Sequence, residues 1–297
     1  MVIQSKAPSK LLKSYLALGT GTLSLSFAAM FIRWAQAPGA VTGFYRLFIS
    51  TIILFPFFIK RNFKSHISWS DIVPPLLGGL CMAINFALWN TSLFYTNVAN
   101  ASMLGNISPL WVSLFAWLVL REHLKKQFWI GLLTILLGII LIMGGDFFLD
   151  PHLGFGDILA ISASFFSAGY ILITQWGRKN LDSLSYTWIN GASASIWLFL
   201  IIISLKDPLT GFPAQTWIIF GAAAIITQII GYMAISFSLG NLPASIVSPT
   251  LNLQPVFAII LAVPLLQEIP SAIQIIGCLF ALGGIYIINY SYQRKNV

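Results

Sequence analysis

Gly105-Asn-Ile-Ser-Pro-Leu-Trp111 decides the fold, because it puts a helix-breaking proline and a polar amide inside a long apolar run. Proline lacks the backbone N–H that a helix interior uses, and its ring disturbs the carbonyl one turn earlier. When the chain is shifted along itself without a gap, Asn106 and Pro109 fall on Asn252 and Pro255. Asparagine and proline are rare in apolar segments, so this match predicts an internal repeat.

The composition excludes an ordinary soluble domain. The chain has 297 residues, of which 58% are hydrophobic and 8% charged, and its mean hydropathy is +0.86. A soluble domain has about a quarter of its residues charged, so the long apolar runs predict transmembrane helices. We predict an all-α integral membrane protein with ten spans at 12–34, 39–59, 72–95, 98–120, 127–146, 156–177, 184–205, 215–239, 244–266 and 271–292.

The net charge of +8 is explained by membrane topology rather than by a nucleic-acid partner. If the amino terminus is cytoplasmic, all but three of the 16 Lys and Arg residues fall in or beside cytoplasmic loops. The exceptions are Arg33 and Lys206 outside and Arg46 within a span. Membrane proteins carry excess basic residues on cytoplasmic loops. The pattern predicts a multi-pass membrane protein with both termini cytoplasmic.

The repeat divides the chain into two halves of five spans, at 12–146 and 156–292. Five is odd, so the second half lies inverted relative to the first. Inverted repeats are an architecture of secondary transporters, with the substrate site near the midplane between the halves. Matching glycines on the fifth and tenth spans predict that these two helices pack closely, and they are Gly131, Gly138, Gly277 and Gly284.

Five further segments carry a family resemblance that covers the chain from Leu16 to Tyr290. They are Phe31-Ile-Arg-Trp-Ala35, Gly43-Phe-Tyr-Arg46-Leu, the Asn106 segment with Arg121-Glu122, Gly154-Phe-Gly-Asp157-Ile-Leu-Ala, and Ser248-Pro-Thr-Leu-Asn-Leu-Gln-Pro255 with Glu268. In these segments the chain resembles the EamA-type branch of the drug/metabolite transporter superfamily. The resemblance implies two inverted EamA repeats, alternating access, and export or exchange of small metabolites across a bacterial inner membrane.

The paired breaks have two interpretations. A buried amide in a membrane should face protein or a water-filled cavity. Asn106 and Asn252 therefore either line a central substrate cavity, with Pro109 and Pro255 as helix hinges, or bond a neighbouring helix beside a structural kink. Gln254, between the second amide and its proline, belongs to the same candidate cavity.

The charged side chains within or at the ends of the spans also have two interpretations each. Arg46 lies inside a span, where its guanidinium either holds a substrate carboxylate or has a structural role, by snorkelling or by binding helix-end carbonyls. Glu122 and Glu268 occupy matching ends of the fourth and ninth spans. They are either a symmetric pair of gates that close on basic residues, or carboxylates at the positive ends of neighbouring helices.

Two amide–aromatic pairs suit a zwitterionic or aromatic metabolite. Asn85 with Trp89, and Gln228 with Tyr232, are spaced four residues apart and share a helix face. An amide can bond a polar head group while a ring covers an apolar part or a cation. Trp111 and Tyr170 are candidates for the same cavity; the alternative is an interfacial aromatic belt.

Residue types that are missing from the sequence limit the possible mechanisms. No Asp, Glu or His lies at midspan, and no phosphate-binding glycine loop is present, so we expect a carrier without a cofactor, a metal or catalytic residues. The first hypothesis is an exporter or exchanger of amino acids or similar zwitterions. The second is uptake or exchange of a nucleotide-like or cofactor metabolite. A distant third is a membrane-embedded enzyme or lipid-handling protein.

Overall fold

The computed structural model describes residues 8–62, 67–96, 98–143, 154–267 and 270–293. Within these ranges the chain is helical and contains no β-strand. Ten helices are long and apolar enough to cross a bilayer. We number them Ser9–Ala35 (α1), Gly39–Asn62 (α2), Trp69–Ser92 (α3), Asn100–Leu118 (α4), Lys126–Met143 (α5), Phe155–Gly177 (α6), Ser183–Leu205 (α7), Ala214–Leu239 (α8), Ala244–Leu265 (α9) and Ala272–Tyr292 (α10).

The ten predicted spans are confirmed, with ends that differ by a few residues. The largest shift is in α3, which was predicted at 72–95 and occupies Trp69–Ser92. Its start is set by a polar cap, because the Ser68 backbone N–H donates to the Asp71 carboxylate at 3.2 Å. Such a cap satisfies a backbone donor that the helix leaves unbonded, so it acts before the apolar run begins.

Helices α4 and α9 are each broken in the middle, as the two prolines predict. Pro109 and Pro255 are both buried and both lie in the first turn of the second half of their helix. Proline is tolerated there, because a first-turn N–H has no helical partner. The halves are Val98–Gly105 and Ser108–Leu118 in α4, and Ala244–Leu251 and Gln254–Leu266 in α9.

Helices α5 and α10 pack against each other through the predicted glycines. A β-carbon on Gly131 would lie 2.8 Å from the carbonyl oxygen of Gly284, and one on Gly138 would lie 2.7 Å from that of Gly277. Small residues allow this close approach of two backbones. The prediction that the fifth and tenth helices pack together is confirmed, and the reciprocal pairs make them an antiparallel pair.

Helix α3 is held against α6 and α7. The Ser193 hydroxyl on α7 donates to the Leu76 carbonyl at 2.9 Å, and the Asn190 amide donates to the Pro75 carbonyl at 3.2 Å. A β-carbon on Gly79 would lie 2.6 Å from the Ser193 β-carbon, so the two helices touch closely. These contacts join the two halves of the chain, because α3 belongs to the first half and α7 to the second.

Candidate functional site

The two broken helices meet at their breaks. The side-chain amide of Asn252, which is buried, donates to the main-chain carbonyl of Asn106 at 3.0 Å. The Asn106 amide donates within its own helix, to the Ser102 carbonyl at 2.7 Å. One amide thus bonds a carbonyl of the opposite repeat, and the other bonds a carbonyl one turn back. Gln254 is half-buried at the start of the second half of α9.

A second group of residues comes together around Arg46, which we call the Arg46 cluster: Arg46 on α2, Phe86 on α3, Tyr170 on α6 and Tyr232 on α8. The Arg46 side chain is only 6% exposed. Its guanidinium carbon lies 4.8 Å from the centre of the Phe86 ring and 5.9 Å from that of Tyr232. Arginine over aromatic faces is stabilised by the negative face of the ring.

Arg46 has no anionic partner in the part of the chain that the structure describes. Its Nε atom is buried and makes no hydrogen bond, and no carboxylate among the described residues forms an ion pair with it. The side chain is buried, so its charge lies inside the bundle. A buried guanidinium without a counter-charge is expensive in a membrane, so a functional role for this side chain is consistent with its position.

Gln228 lies four residues before Tyr232 on α8 and carries a hydrogen-bond acceptor. It is 1% exposed, and its side-chain oxygen is buried without a hydrogen-bond partner. It lies in a π-helical segment, Ala224–Tyr232, that interrupts α8. In a π-helix the bonds join residues five apart, so Gln228 and Tyr232 lie close to the same face. Such segments occur often at functional sites, where they re-aim side chains.

The aromatic wall of the cluster spans both halves of the chain. The Tyr170 and Tyr232 rings pack edge to face, with centres 5.8 Å apart. Phe86 completes the wall from α3, and nothing in the sequence singled it out. A phenylalanine in an apolar span carries no signal of its own.

Three other predicted residues contact α6 or α4 instead. The Asn85 amide donates to the Ala163 carbonyl at 2.7 Å, and the Trp111 indole N–H donates to the Ser164 hydroxyl at 2.9 Å. Trp89 packs on the break in α4, where a β-carbon on Gly105 would lie 3.2 Å from its ring. The Asn85 and Trp111 donors thus brace α3 and α4 against adjacent residues of α6.

Of the two predicted gate residues, Glu122 and Glu268, the structure describes Glu122. One carboxylate oxygen of Glu122 accepts from the Ser245 hydroxyl, in the first turn of α9, at 2.8 Å. No basic side chain of the described residues forms an ion pair with Glu122. Glu268 lies outside the described residues. Glu122 therefore contacts the start of a neighbouring helix, where a carboxylate is favoured by the helix dipole.

A cavity of about 950 Å³ opens at the end of the bundle where α4, α6, α8 and α10 finish and α5 and α9 begin. We call it the basic vestibule, because Arg121, Lys125, Arg178 and Lys179 line it and Glu122 is the one carboxylate among the described residues of its wall. None of the predicted substrate-cavity residues is among the residues that line it, whereas the predicted gate residue Glu122 is. In the sequence these cations indicate only the membrane topology, although Arg121 with Lys125, and Arg178 with Lys179, are clustered there.

Arg178 also fixes the geometry of this end. Its Nε–H donates to the Ser236 carbonyl at 2.9 Å, and a second guanidinium N–H donates to the Leu181 carbonyl. A β-carbon on Gly240 would lie 2.8 Å from the guanidinium, so glycine leaves room for it. Burial lowers the pKa of Arg178, and the nearby Asp182 carboxylate opposes that shift.

Asp182 caps α7 at the same end. It accepts from the Ser185 backbone N–H at 2.9 Å and from the Arg61 Nε–H at 3.0 Å. Burial acts to raise its pKa, but the hydrogen bonds from Ser185 and the charge and hydrogen bond of Arg61 outweigh it, so the pKa is lowered. The pair ties the end of α2 to the start of α7.

The chain belongs to the EamA-like transporter family, whose model matches residues 12–144 and 154–290. The fold is thus two EamA repeats of five helices, and the protein is a multi-pass membrane transporter rather than an enzyme.

Relatives and a solved structure agree with this assignment. An uncharacterized transporter of Archaeoglobus fulgidus is 26% identical over 253 residues, covering 82% of this chain and 86% of its own. The uncharacterized transporter YyaM of Bacillus subtilis is 23% identical over 257 residues, covering 82% and 83%. The pseudopaline exporter CntI of Pseudomonas aeruginosa is 23% identical over 260 residues, covering 88% and 89%. A solved crystal structure, 17% identical, matches the fold with a TM-score of 0.78 and covers 93% of this chain and 97% of its own.

Proposed function

We propose that this transporter moves amino acids or similar small zwitterions across a bacterial inner membrane by alternating access, as an exporter or exchanger. The observation that carries the proposal is the Arg46 cluster. In this cluster a buried cation, which forms no ion pair with any described carboxylate, lies against aromatic rings. Four residues before Tyr232 of the cluster, the buried side-chain oxygen of Gln228 has no hydrogen-bond partner among the described residues.

A zwitterion has the complementary groups. Its carboxylate would pair with the Arg46 guanidinium, which binds carboxylates through two parallel N–H groups. Its ammonium would donate to the Gln228 side-chain oxygen and lie against the faces of Tyr232 and Tyr170. Both orphaned polar groups would then be satisfied in a site that draws on α2 and α3 of one half and α6 and α8 of the other. Such placement between inverted repeats is typical of secondary transporters.

The paired breaks support the alternating-access part of the proposal. Asn252 bonds the carbonyl of Asn106, so the centres of α4 and α9 are joined where each helix is interrupted. We propose that Pro109 and Pro255 are the hinges about which the outer halves of these helices move. A hinge residue absorbs the change in backbone angles while the packed segments on either side move as units.

The vestibule corresponds to an access path at one side of the membrane. Among the described residues no basic side chain closes on Glu122, and the cavity beside it is open. We propose that Glu122 and Glu268 act as gates, each pairing with a basic residue when its own side closes. The concentration of Lys and Arg at this end supports a cytoplasmic orientation of it and of both termini.

The proposed direction of transport is supported by one relative. The pseudopaline exporter CntI covers 88% of this chain at 23% identity, and it is named as an exporter. Export is therefore the first mode of the proposal, and exchange is the other.

A second candidate is uptake or exchange of a nucleotide-like or cofactor metabolite. The four basic side chains of the vestibule favour it, because they would attract an anionic solute at the mouth of the path. It is less well matched to the Arg46 cluster, which offers one cation only.

Counterflow in proteoliposomes tests the proposal. Vesicles are preloaded with one unlabelled amino acid, and uptake of labelled amino acids is followed one by one, for the wild type and for Gln228→Leu. We expect preload-dependent uptake in the wild type and a loss of at least about tenfold in the variant, the value of a hydrogen bond to a charged group. Replacing an unsatisfied buried amide by an apolar group of similar size should leave the fold intact.

The matched control is Gln215→Leu, the same substitution on the same helix at an exposed position. It should exchange as fast as the wild type. Accumulation of labelled nucleotides but of no amino acid would replace the first proposal by the second. Unchanged amino-acid exchange in Gln228→Leu would remove the Arg46 cluster from the transport path.

A further inference from the structure

The lining of the basic vestibule combines cationic and apolar side chains. Exposed cationic side chains, Arg121, Lys125 and Lys179, line it at the end of the bundle. In the described part of the chain none of the three forms an ion pair with a carboxylate. Glu122, the one carboxylate among the described residues of the wall, already accepts from the Ser245 hydroxyl. The described part of the vestibule therefore carries an excess of positive charge.

The lining of the cavity also contains apolar side chains that are exposed. Phe115, Leu120 and Trp176 line the cavity, and they are 42%, 50% and 52% exposed. Phe115 lies on α4 and Trp176 on α6, so both helices contribute exposed aromatic rings to the lining. An acyl chain would bury apolar surface against these rings.

The depth of the cations matches the level of lipid phosphates. The spans of α4 and α6 end at Leu118 and Gly177, and Arg121 and Lys179 follow within three residues of those ends. Side chains at this position lie at the boundary between hydrocarbon and water, where the headgroups are. Basic pockets between transmembrane helices can bind anionic headgroups.

We propose that the basic vestibule binds an anionic phospholipid, with its phosphate on Arg121, Lys125 and Lys179 and an acyl chain along Phe115 and Trp176. Arg178 does not serve as a mobile ligand, because it already donates to two carbonyls. The site is separate from the Arg46 cluster, and the proposal does not depend on the identity of the transported substrate.

The test is lipid retention measured by native mass spectrometry, together with thermal stability in nanodiscs. Purified protein is titrated with phosphatidylglycerol or phosphatidylcholine. The variant removes three charges, as Arg121→Ala, Lys125→Ala and Lys179→Ala together. The matched control removes three exposed charges at the same end but outside the cavity, as Lys10→Ala, Lys13→Ala and Lys60→Ala together.

We expect the wild type to bind phosphatidylglycerol more tightly than phosphatidylcholine and to be stabilised by it. The vestibule variant should lose about fivefold in affinity per charge removed, on the order of 100-fold in all. The control should keep most of the affinity. A charge-keeping variant, Arg121→Lys, should also keep it, which separates loss of charge from loss of fold.

Three results would overturn the proposal. The first is equal retention of both lipids by the wild type. The second is an equal loss in the vestibule variant and in the control. The third is stabilisation by millimolar inorganic phosphate in nanodiscs of phosphatidylcholine alone, to the same extent as by phosphatidylglycerol, which would assign the vestibule to a soluble anion.

Discussion

Replacing Arg46 by methionine separates a structural role from a functional one. Methionine has a similar length and no charge, so it keeps most of the packing on Phe86 and Tyr232. If the guanidinium exists to bind substrate, the free protein holds it at a cost in stability. The substitution should then abolish exchange without lowering the free energy of unfolding.

The magnitude follows from the contacts of the side chain. An arginine at the centre of a span costs about 2.5–3.5 kcal/mol on the insertion scale, which is an upper limit for Arg46, the eighth residue of α2. The Phe86 ring at 4.8 Å offsets about 2 kcal/mol of this cost, and the Tyr232 ring at 5.9 Å, near the limit of the interaction, about 0.5 kcal/mol. The difference predicts that Arg46→Met changes the free energy of unfolding by no more than about 1 kcal/mol.

The assay measures stability and transport on the same preparation. Unfolding in mixed micelles by SDS gives the change in free energy, and counterflow gives exchange. Arg178→Met is the matched control, because its guanidinium donates to the Ser236 and Leu181 carbonyls. Removing it takes a charged donor from both carbonyls, and the Ser236 carbonyl keeps only the Gly240 backbone N–H at 3.1 Å, so stability should fall by about 1–3 kcal/mol.

A fall of about 3–5 kcal/mol in the free energy of unfolding of Arg46→Met, the loss expected when a buried charge network is broken, would contradict the substrate-binding role. Exchange of amino acids by the variant at the wild-type rate would contradict it as well. Either outcome would make Arg46 a structural residue.

Three further predictions concern packing and pH. Asn252→Ala should lower the free energy of unfolding by about 0.6–1.7 kcal/mol in SDS titrations, because the carbonyl of Asn106 loses its donor; an unchanged midpoint would contradict the contact. Gly138→Leu should destabilise by at least about 1–3 kcal/mol, because its β-carbon would lie 2.7 Å from the facing backbone, whereas Gly283→Leu, with nothing within 4 Å, should be nearly neutral. Asp182→Asn should lower stability by about 0.5–1 kcal/mol at pH 7. The folded-state pKa of the Asp182 carboxyl is lowered from 3.8. Its contribution to the free energy of unfolding is therefore present above pH 3.8 and is lost as the pH falls through the folded-state pKa. A stability difference between Asp182→Asn and the wild type that persists below the folded-state pKa would contradict the pairing.

The sequence by itself determined the spans, the repeat and one helix contact. The number of spans follows from the long apolar runs, because each run of about 20 apolar residues crosses the bilayer once, as a helix. The repeat follows from Asn106 and Asn252, since polar residues are too rare in a membrane for such matches to arise often. Gly131 and Gly138 predicted the α5–α10 contact, because backbones can approach closely only where both sides lack a side chain.

Only the tertiary structure decided which polar groups meet. In the sequence, Asn85 and Trp111 are cavity candidates of the same kind as Gln228. In the structure the side-chain N–H groups of Asn85 and Trp111 donate to α6, whereas the Gln228 side-chain oxygen has no hydrogen-bond partner among the described residues. The reason is that a membrane-spanning sequence is apolar on most faces, so its periodicity says little about how each helix is rotated toward its neighbours. That rotation is set by packing between helices distant in the chain, and it is what brings Phe86 to the guanidinium and gathers the basic loop residues around one cavity.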